Sequence, residues 1–413
     1  MRPVTTGVDV ASVERIAALV RRRPSFATKM FSPEEVAYCE GRPERLAARW
    51  AAKEAVRKVF GSSGLALPTY PSISVVHRTG GAPQALVDGV AVPGLELSLS
   101  HDAGVAIAVA VLSPAPGLDF PVPEAVVLPE RIDTGHKGTF GTVLVLAGSA
   151  GFPGAAQLAS RGALRGGAGR VRAAVPEGAG GEGFPAEVIR VPLPVESGSF
   201  GGAAAALLAS QLAAAQAVVC GPGLGSSPAI RGFLGGVLRT LRGHGDRLVL
   251  DADGLNVLAA NPDLQELLPS GAVITPHPLE AARLAGVEVA EIQRDRALSA
   301  HRLASRFGAT VVLKGAGTVV ATDADEPWLD DHRTAVLAAG GTGDVLAGLI
   351  GALIAQGLDP FAAARSGVFL HGQAGVWLGE TRGHSGILAS EVADALVGVQ
   401  EAVRRRRHAS SPS

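Results

Sequence analysis

Between Thr142 and Lys314 the chain alternates short apolar runs, turns rich in Gly or Pro, and stretches with helical periodicity. The apolar runs lie at Thr142–Ala147, Gly169–Ala174, Ala217–Cys220, Arg247–Asp251, Ala272–Thr275 and Thr310–Lys314. That order predicts βαβ units and a mostly parallel sheet covered on both faces. Ligands of such sheets bind beyond the carboxyl ends of the strands, so the loops after these runs are where chemistry is expected. The first 113 residues read differently, as mixed α and β. Thr6–Val10 is a short strand, and Ser12–Arg22 places Val13, Ile16, Ala17 and Val20 on one helical face. Ser32-Pro33-Glu34-Glu35 supplies an N-cap, Pro at the first helical position and an acidic first turn. A further helix is predicted over 45–60, and strands over Ser72–His77, Gln84–Val87, Glu96–Ser100 and Val105–Leu112.

The two patterns meet at Ser113–Glu130, SPAPGLDFPVPEAVVLPE, where proline is too dense for a helix or a central strand. The expected division is a domain over 1–113, a Pro-rich linker or domain-wrapping segment over 114–130, and a second domain over 131–403. The tail from Arg404, RRRRHASSPS, is basic and then polar, and disorder is expected over 404–413. With 47% hydrophobic residues the chain has the material for real cores, and a net charge of −1 argues against nucleic acid or an anionic membrane as partner. Cys39 and Cys220 make neither a disulfide framework nor a CxxC site. The N-terminal MRPVTTGVDV has no apolar core of a secretory signal. The most lipid-like stretch, Ala203–Cys220, carries Ser210, Gln211 and Gln216 and reads as an Ala-rich helix and strand. A cytoplasmic protein without a membrane span is expected.

Asp9 ends the first predicted strand, and Glu54 lies in ARWAAKEAVRKVFG on the predicted helix. Two carboxylates on separate elements suit a hard divalent ion such as Mg2+. Lys53 and Lys58 flank Glu54, and a metal with Lys58 on one helix face suits a pyrophosphate. A plain i,i+4 Glu–Lys pair on a solvated helix accounts for the same spacing. Four motifs occur in order: G-V-D-V at 7–10, F-x-x-K-M-F-S-x-x-E at 26–35, R-W-A-A-K-E-A-V-R-K at 49–58 and S-L-S-H-D at 98–102. Together they resemble the holo-acyl-carrier-protein synthase family of phosphopantetheinyl transferases, with R-K-V-F-G where that family usually has a K-A-x-G ending. The resemblance implies an α+β phosphopantetheinyl-transferase domain that moves 4′-phosphopantetheine from coenzyme A to a serine of an acyl carrier protein, with Mg2+. It implies Asp9 and Glu54 as metal ligands and Lys58 as a pyrophosphate or catalytic partner. His101 and Asp102 would sit at the site and help activate the serine hydroxyl or a metal-bound water. Arg15, Arg21 and Arg22, continued by Arg23, form a basic patch on the first helix suited to docking an acidic carrier protein.

Near the other end, AAGGTGDVLAGLI at 338–350 feeds a Gly-rich turn into an apolar helix. The Gly341–Gly343 amides then point from a helix N-terminus, a geometry that favours phosphate and developing negative charge. Asp344 in the first turn is placed to act as base toward a hydroxyl there, although an Asp that only stabilises the helix end fits the same position. Other turns close strands at C-G-P-G-L-G (220–225), D-A-D-G-L-N (251–256), T-P-H-P-L-E (275–280) and L-K-G-A-G-T (313–318). Lys314 ends a strand beside glycines, as a phosphate contact would. His277 is held between two prolines.

As a set, with H-K-G-T-F-G-T-V-L-V-L-A-G-S (136–149), P-G-A-A (153–156) and G-G-T-G-D, these turns resemble the ADP-dependent (or ATP-dependent) NAD(P)H-hydrate dehydratase family. The resemblance implies an α/β ribokinase-like domain that phosphorylates the ring hydroxyl of hydrated NADH or NADPH and then eliminates phosphate. By motif position Ala155 or Ala156, Gly223, His277 and Asp344 would contact the hydrated nicotinamide nucleotide. Lys314, Gly315, Ala316, Gly317, Thr318 and Gly343 would contact the adenine nucleotide. The stretch before G-G-T-G-D reads DDHRTAVLA where the family carries Asn and Gly. The expectation is a bifunctional homo-oligomeric enzyme. Two alternatives remain open: a small-molecule (vitamin-precursor) kinase in the second domain, and a non-catalytic oligomerisation or carrier-binding module in the first.

Overall fold

Two units divide the chain, Met1–Asp119 and Phe120–Ser413. They are seen in a computed structural model that describes residues 4–23, 25–77, 81–92, 94–113, 118, 120–177, 183–196 and 199–410. The first unit contains β1 (Thr5–Ser12), α1 (Val13–Arg22), α2 (Ser25–Met30), α3 (Pro33–Cys39) and α4 (Pro43–Ser62). After them come β2 (Ile73–His77), β3 (Pro83–Val87), β4 (Val90–Ala91), β5 (Leu95–Asp102) and β6 (Val105–Leu112). The predicted start at Ser32 is a complete capping box. Glu35 donates its amide to Ser32 Oγ, and its carboxylate accepts the Ser32 amide at 2.8 Å. The sheet β1-β6-β5 is antiparallel, and α4 lies on one face of it. The contact is made by alanines, among them Ala51, Ala55, Ala106 and Ala108, all buried. Gly7 makes it closer still, because a Cβ there would lie 2.1 Å from the Ala55 carbonyl oxygen. This approach sets Asp9, two residues on, against the helix that carries Glu54 and Lys58.

The second unit begins with β7 (Thr142–Leu146), α5 (Pro153–Arg165), β8 (Arg170–Pro176), β9 (Ile189–Leu193), β10 (Val195–Glu196) and β11 (Ser199–Phe200). It continues through α6 (Gly202–Leu207), α7 (Ala209–Ala214), β12 (Ala217–Cys220), α8 (Ala229–Thr240), β13 (Leu248–Leu250), α9 (Asp253–Ala260) and α10 (Pro262–Gln265). Then come β14 (Val273–Ile274), α11 (Pro278–Ala285), α12 (Val289–Arg294), α13 (Arg296–Phe307), β15 (Thr310–Leu313), β16 (Val319–Ala321) and β17 (Trp328–Leu329). Three helices close it: α14 (Thr342–Ala355), α15 (Pro360–Arg382) and α16 (Ala389–Ser410).

Among the described residues nine strands form one sheet in the order β17-β16-β15-β14-β13-β12-β7-β8-β9. It is parallel from β9 to β15, and β16 runs against the others, pairing antiparallel with both β15 and β17. The chain moves outward from β7 through β8 and β9, then restarts on the other side at β12. The switch point therefore lies between β7 and β12, where a ligand crevice opens in such sheets. Helices α5 and α14 cross backbone against backbone. A Cβ on Gly162 would lie 2.2 Å from the Val345 carbonyl oxygen, and one on Gly348 1.9 Å from that of Ala159. No helix among the described residues is long and apolar enough to cross a membrane. Cys39 and Cys220 are both free and buried.

One expectation about the connecting segments is corrected, and another narrows to one of its two alternatives. The tail from Arg404 was expected to be disordered, but α16 runs on to Ser410. Its apolar stripe Val392, Leu396, Val399 and Val403 is buried and carries the helix into the arginines, where Arg407 donates to the carbonyls of Pro123, Glu124 and Val126. The later half of the Pro-rich segment is no free linker. Phe120 packs on Phe369 with ring centroids 5.8 Å apart, Val126 is buried, and the Val127 amide donates to Ser366 Oγ at 3.0 Å. Residues 114–117 and 119 of that segment, and 411–413 of the tail, lie outside the described residues.

Candidate active sites

In the second unit the strand ends converge on the N-terminus of α14. Gly341 is its N-cap, at φ +88°, a left-handed conformation that costs glycine least. Asp344 follows in the first turn. Burial, helped by the carboxylates of Asp251 and Asp253 against the opposing Lys314, pushes its pKa up to about 7. Lys314 Nζ donates to Asp251 Oδ1 at 2.6 Å, and Asp251 is 1% exposed. The other oxygen, Asp251 Oδ2, has no hydrogen-bond partner among the described residues. A Cβ on Gly343 would lie 3.4 Å from Lys314 Nζ and 4.0 Å from Asp251 Oδ2, so the pair sits against the mouth of the helix. Burial works to lower the Lys314 pKa, but the carboxylates of Asp251 and Glu280 outweigh it and hold the ammonium charged.

The D-A-D turn that presents Asp251 and Asp253 is strained. Ala252 sits at φ 49°, ψ −120°, a region costly to a residue with a Cβ. Asp253 accepts the Gly225 amide at 2.8 Å, which ties this turn to the G-P-G-L-G loop. His277 caps α11: its Nδ1 accepts from the amides of Leu279 and Glu280 at 3.1 and 3.3 Å. Glu280 returns the bond by accepting the His277 amide at 2.8 Å. Neutral His277 must therefore carry its proton on Nε2, which lies 3.3 Å from Glu280 Oε1. Burial and then Lys314 lower the His277 pKa, whereas burial dominates at Glu280 and raises it to about 7. Three acids, Asp251, Glu280 and Asp344, thus surround one ammonium. Sequence reasoning missed Asp251, Asp253 and Glu280. Their signal was a carboxylate directly after an apolar strand, or at the third position of a helix behind His-Pro.

Gly223 and Ala155 meet across the switch point. Gly223 has φ +60°, and a Cβ on it would lie 2.6 Å from that of Ala155. Of the two alanines only Ala155 faces this crevice. Ala156 is 1% exposed and packs beneath Gly148, so its candidacy as a contact is corrected. Residues Lys314, Gly315, Ala316, Gly317 and Thr318 form one tight turn, with Gly315 and Ala316 exposed. Arg296 Nη2 supports it from within by donating to the carbonyls of Leu313, Lys314 and Gly317 at 2.9, 3.2 and 3.3 Å. Thr318 Oγ1 closes it on the Gly315 carbonyl at 3.0 Å. In the DDHRTAVLA loop His332 is engaged by α15. Its Nδ1 lies 2.8 Å from Asp330 Oδ1 and its Nε2 3.0 Å from Gln373 Oε1. His332 of this loop is thus taken up by packing, whereas its neighbours Asp331 and Arg333 are exposed. Replacing Lys314 with Ala should destabilise the protein by about 3–5 kcal/mol in denaturant titrations, because Asp251 is left buried and unpaired. It should also weaken the binding of a nucleotide at this strand end. Unchanged stability and nucleotide titration would remove Lys314 from the site.

In the first unit Lys58 Nζ donates to Asp9 Oδ1 and to the Val8 carbonyl, both at 2.8 Å. Its partner is therefore Asp9 across the β1–α4 contact, not Glu54 on its own helix. Glu54 Oε1 accepts from the Tyr70 hydroxyl at 2.7 Å. Lys53 is no surface cation: it is 0% exposed, paired with Glu35 at 2.8 Å, and donates to the carbonyls of Tyr70 and Ile73. Burial pulls its pKa down despite Glu35. Lys58 lies one turn after Glu54 and reaches Asp9, so the two carboxylates share a face. No group of three His, Cys, Asp or Glu suited to a metal occurs among the described residues. Two hard oxygen donors fit Mg2+, which commonly takes one or two carboxylates and completes its shell with water and substrate phosphate.

Strand pleating separates His101 from Asp102. Residues level with one another share a face of the sheet. Asp9 is level with Ala108 and Leu99, and His101 with Ala106 and Ala11, all on the face that α4 covers. Asp102 points to the opposite face, where its Oδ1 accepts the Ala103 amide at 2.8 Å and closes the β5–β6 turn. Its expected place at the site is corrected on that ground. Arg15, Arg21 and Arg22 are exposed on α1, with Arg15 and Arg22, seven residues apart, on one stripe.

A mostly parallel sheet, a Gly-capped helix N-terminus at its carboxyl edge and an acid in the first helical turn define the ribokinase-like class. The sequence model of the NAD(P)H-hydrate dehydratase family matches residues 143–397, and that of the 4′-phosphopantetheinyl transferase superfamily matches residues 5–110. The chain belongs to the NAD(P)H-hydrate dehydratase family and carries a phosphopantetheinyl-transferase-type domain ahead of it. The ADP-dependent (S)-NAD(P)H-hydrate dehydratase of Neisseria meningitidis is 41% identical over 276 residues, 64% of this chain and 86% of that protein. The bifunctional NAD(P)H-hydrate repair enzyme Nnr of Escherichia coli is 40% identical over 270 residues, 65% of this chain. The match is 49% of that enzyme, so the chain spans about half the length of this relative. The crystal structure of ADP/ATP-dependent NAD(P)H-hydrate dehydratase from Bacillus subtilis, co-crystallised with ATP/Mg2+, superposes with a TM-score of 0.54 at 31% identity. It covers 66% of this chain and 94% of its own.

Proposed function

We propose that the second unit dehydrates hydrated NADH or NADPH at the expense of ADP or ATP. The observation that carries the reading is Asp344, held near a pKa of about 7 in the first turn of α14 beside the Lys314–Asp251 pair. Asp344 removes the proton of the ring hydroxyl as its oxygen attacks the terminal phosphorus of the nucleotide. Amides of the α14 N-terminus and the Lys314 ammonium oppose the charge that builds on the transferred phosphoryl group. The phosphate ester then leaves as inorganic phosphate while the ring loses its neighbouring proton, restoring the dihydronicotinamide; with ADP the other product is AMP. The turn Gly315–Thr318, exposed at Gly315 and Ala316, and Gly343 hold the adenine nucleotide, and Ala155, Gly223 and His277 line the face toward the hydrated nicotinamide. A base of this pKa must be ionised to act. The kcat/KM for hydrated NADH should therefore fall about tenfold per pH unit below about 7. A profile flat down to pH 5 would take the base role from Asp344.

For the first unit we propose transfer of 4′-phosphopantetheine from coenzyme A to a serine of an acyl carrier protein. Asp9 and Glu54 would hold Mg2+, which supplies charge neutralisation on the pyrophosphate when bound. Lys58, tethered to Asp9, adds a cation at the same place, and His101 on the same sheet face is the group available to take the serine proton. Arg15 and Arg22 form the docking stripe for an acidic carrier. A homo-oligomer accords with the apolar sheet face opposite α4, where Val8, Val10, Val105 and Ile107 are 49%, 58%, 38% and 42% exposed. Intact Asp9, Glu54 and Lys58 argue against a purely structural module.

A further inference from the structure

We infer that Tyr70 is a positioning residue that fixes Glu54 for the divalent cation, an inference that rests on the transferase reading of the first unit. The Tyr70 ring lies along one stripe of α4, formed by Trp50, Lys53, Glu54 and Arg57 at helical spacings of three, four and seven. It stacks on Trp50 with centroids 4.9 Å apart and planes 16° from parallel, and the Arg57 guanidinium sits 4.5 Å from its centroid. The backbone is held as firmly, because the Tyr70 carbonyl accepts from buried Lys53 Nζ at 3.1 Å, and Lys53 is anchored by Glu35. A phenol pinned at ring and backbone has one free element, its hydroxyl, and that donates to Glu54 Oε1 at 2.7 Å.

A glutamate on a helix surface samples many rotamers, and a cation has to restrain them on binding. The Tyr70 bond restrains them beforehand. It occupies Oε1, leaves Oε2 for the cation, and joins the carboxylate to the buried Lys53–Glu35 pair through one aromatic ring. Outer partners of this kind orient a ligating carboxylate, and their loss typically weakens metal affinity about 10–100-fold. Nothing in the four sequence motifs contains Tyr70, which lies in the segment between α4 and β2.

Tyr70→Phe keeps the ring and removes only the hydroxyl. The full chain is titrated with Mg2+ in a calorimeter at saturating coenzyme A, and transfer to an acyl carrier protein is followed against Mg2+ concentration. The expected result is an Mg2+ Kd raised about 10–100-fold, with the half-saturating Mg2+ for transfer moving alongside, a much smaller change in the coenzyme A KM, and a thermal midpoint close to wild type. Tyr70→Ala, which also removes the stack, should lower the thermal midpoint as well. An Mg2+ Kd for Tyr70→Phe within twofold of wild type overturns the inference. So does a Tyr70→Phe thermal midpoint as low as that of Tyr70→Ala, since the hydroxyl would then serve packing. Wild-type protein that takes up no Mg2+ and transfers nothing overturns the transferase reading itself, and this inference with it.

Discussion

Changing Asp344 to Asn is expected to lower dehydration of hydrated NADH by about 10²–10⁴-fold, the usual loss when a general base is removed. The substitution is nearly isosteric, and Gly341 still caps α14, so fold and nucleotide binding should survive. The structure sharpens the reason. Asp344 shares Lys314 with Asp251 and Glu280, and burial sets it near a pKa of about 7, a value matched to proton transfer at neutral pH. Asn at this position keeps a polar group in the same space but cannot accept the hydroxyl proton. Wild-type rates in the purified variant would show that the acid only stabilises the helix end.

A second large effect is expected from Glu54→Gln, which should abolish phosphopantetheine transfer while leaving dehydration near wild type. Gln keeps the hydrogen bond from Tyr70 but removes one of two anionic oxygen ligands, and Asp9 alone, already paired with Lys58, holds a hard cation poorly. No residue of the dehydration site belongs to the first unit, and sites without shared partners behave almost additively. Both reactions are assayed on one preparation. Loss of both would show that the two activities are coupled, and retention of both would leave the metal assignment without support.

The parallel sheet was legible because buried strands read as continuous apolar runs and their turns carry Gly or Pro. The start of α3 was legible because a capping box is local chemistry within four residues. Short strands at the sheet margins such as β9, β16 and β17 escaped, since two to five residues give too little periodicity. The tail was misread for a related reason. Four consecutive arginines look solvated in sequence, but the apolar stripe that holds their helix begins more than ten residues earlier, at Val392. At the sites, motif spacing named Asp9, Glu54, Lys58, Lys314 and Asp344 but not their partners. That Lys58 meets Asp9, that Lys314 meets Asp251, and that Asp102 faces away from His101 follow from tertiary approach and strand pleat, which no single motif encodes. Glu280 was hidden in the same way, because its raised pKa comes from burial, helped by Asp251 from another strand end and against the lowering effect of the His277 amide.

The account stands most directly on what the second unit does to its substrate. Purified wild-type chain is mixed with hydrated NADH and ADP, or ATP in a parallel run, and dihydronicotinamide absorbance, phosphate and nucleotide product are followed together. The prediction is recovery of NADH with one phosphate and one AMP, or one ADP in the ATP run, for each molecule dehydrated, all absent in Asp344→Asn. Accumulation of a phosphorylated hydrate without NADH would identify a kinase, and no turnover of hydrated NADH with either nucleotide would contradict the account.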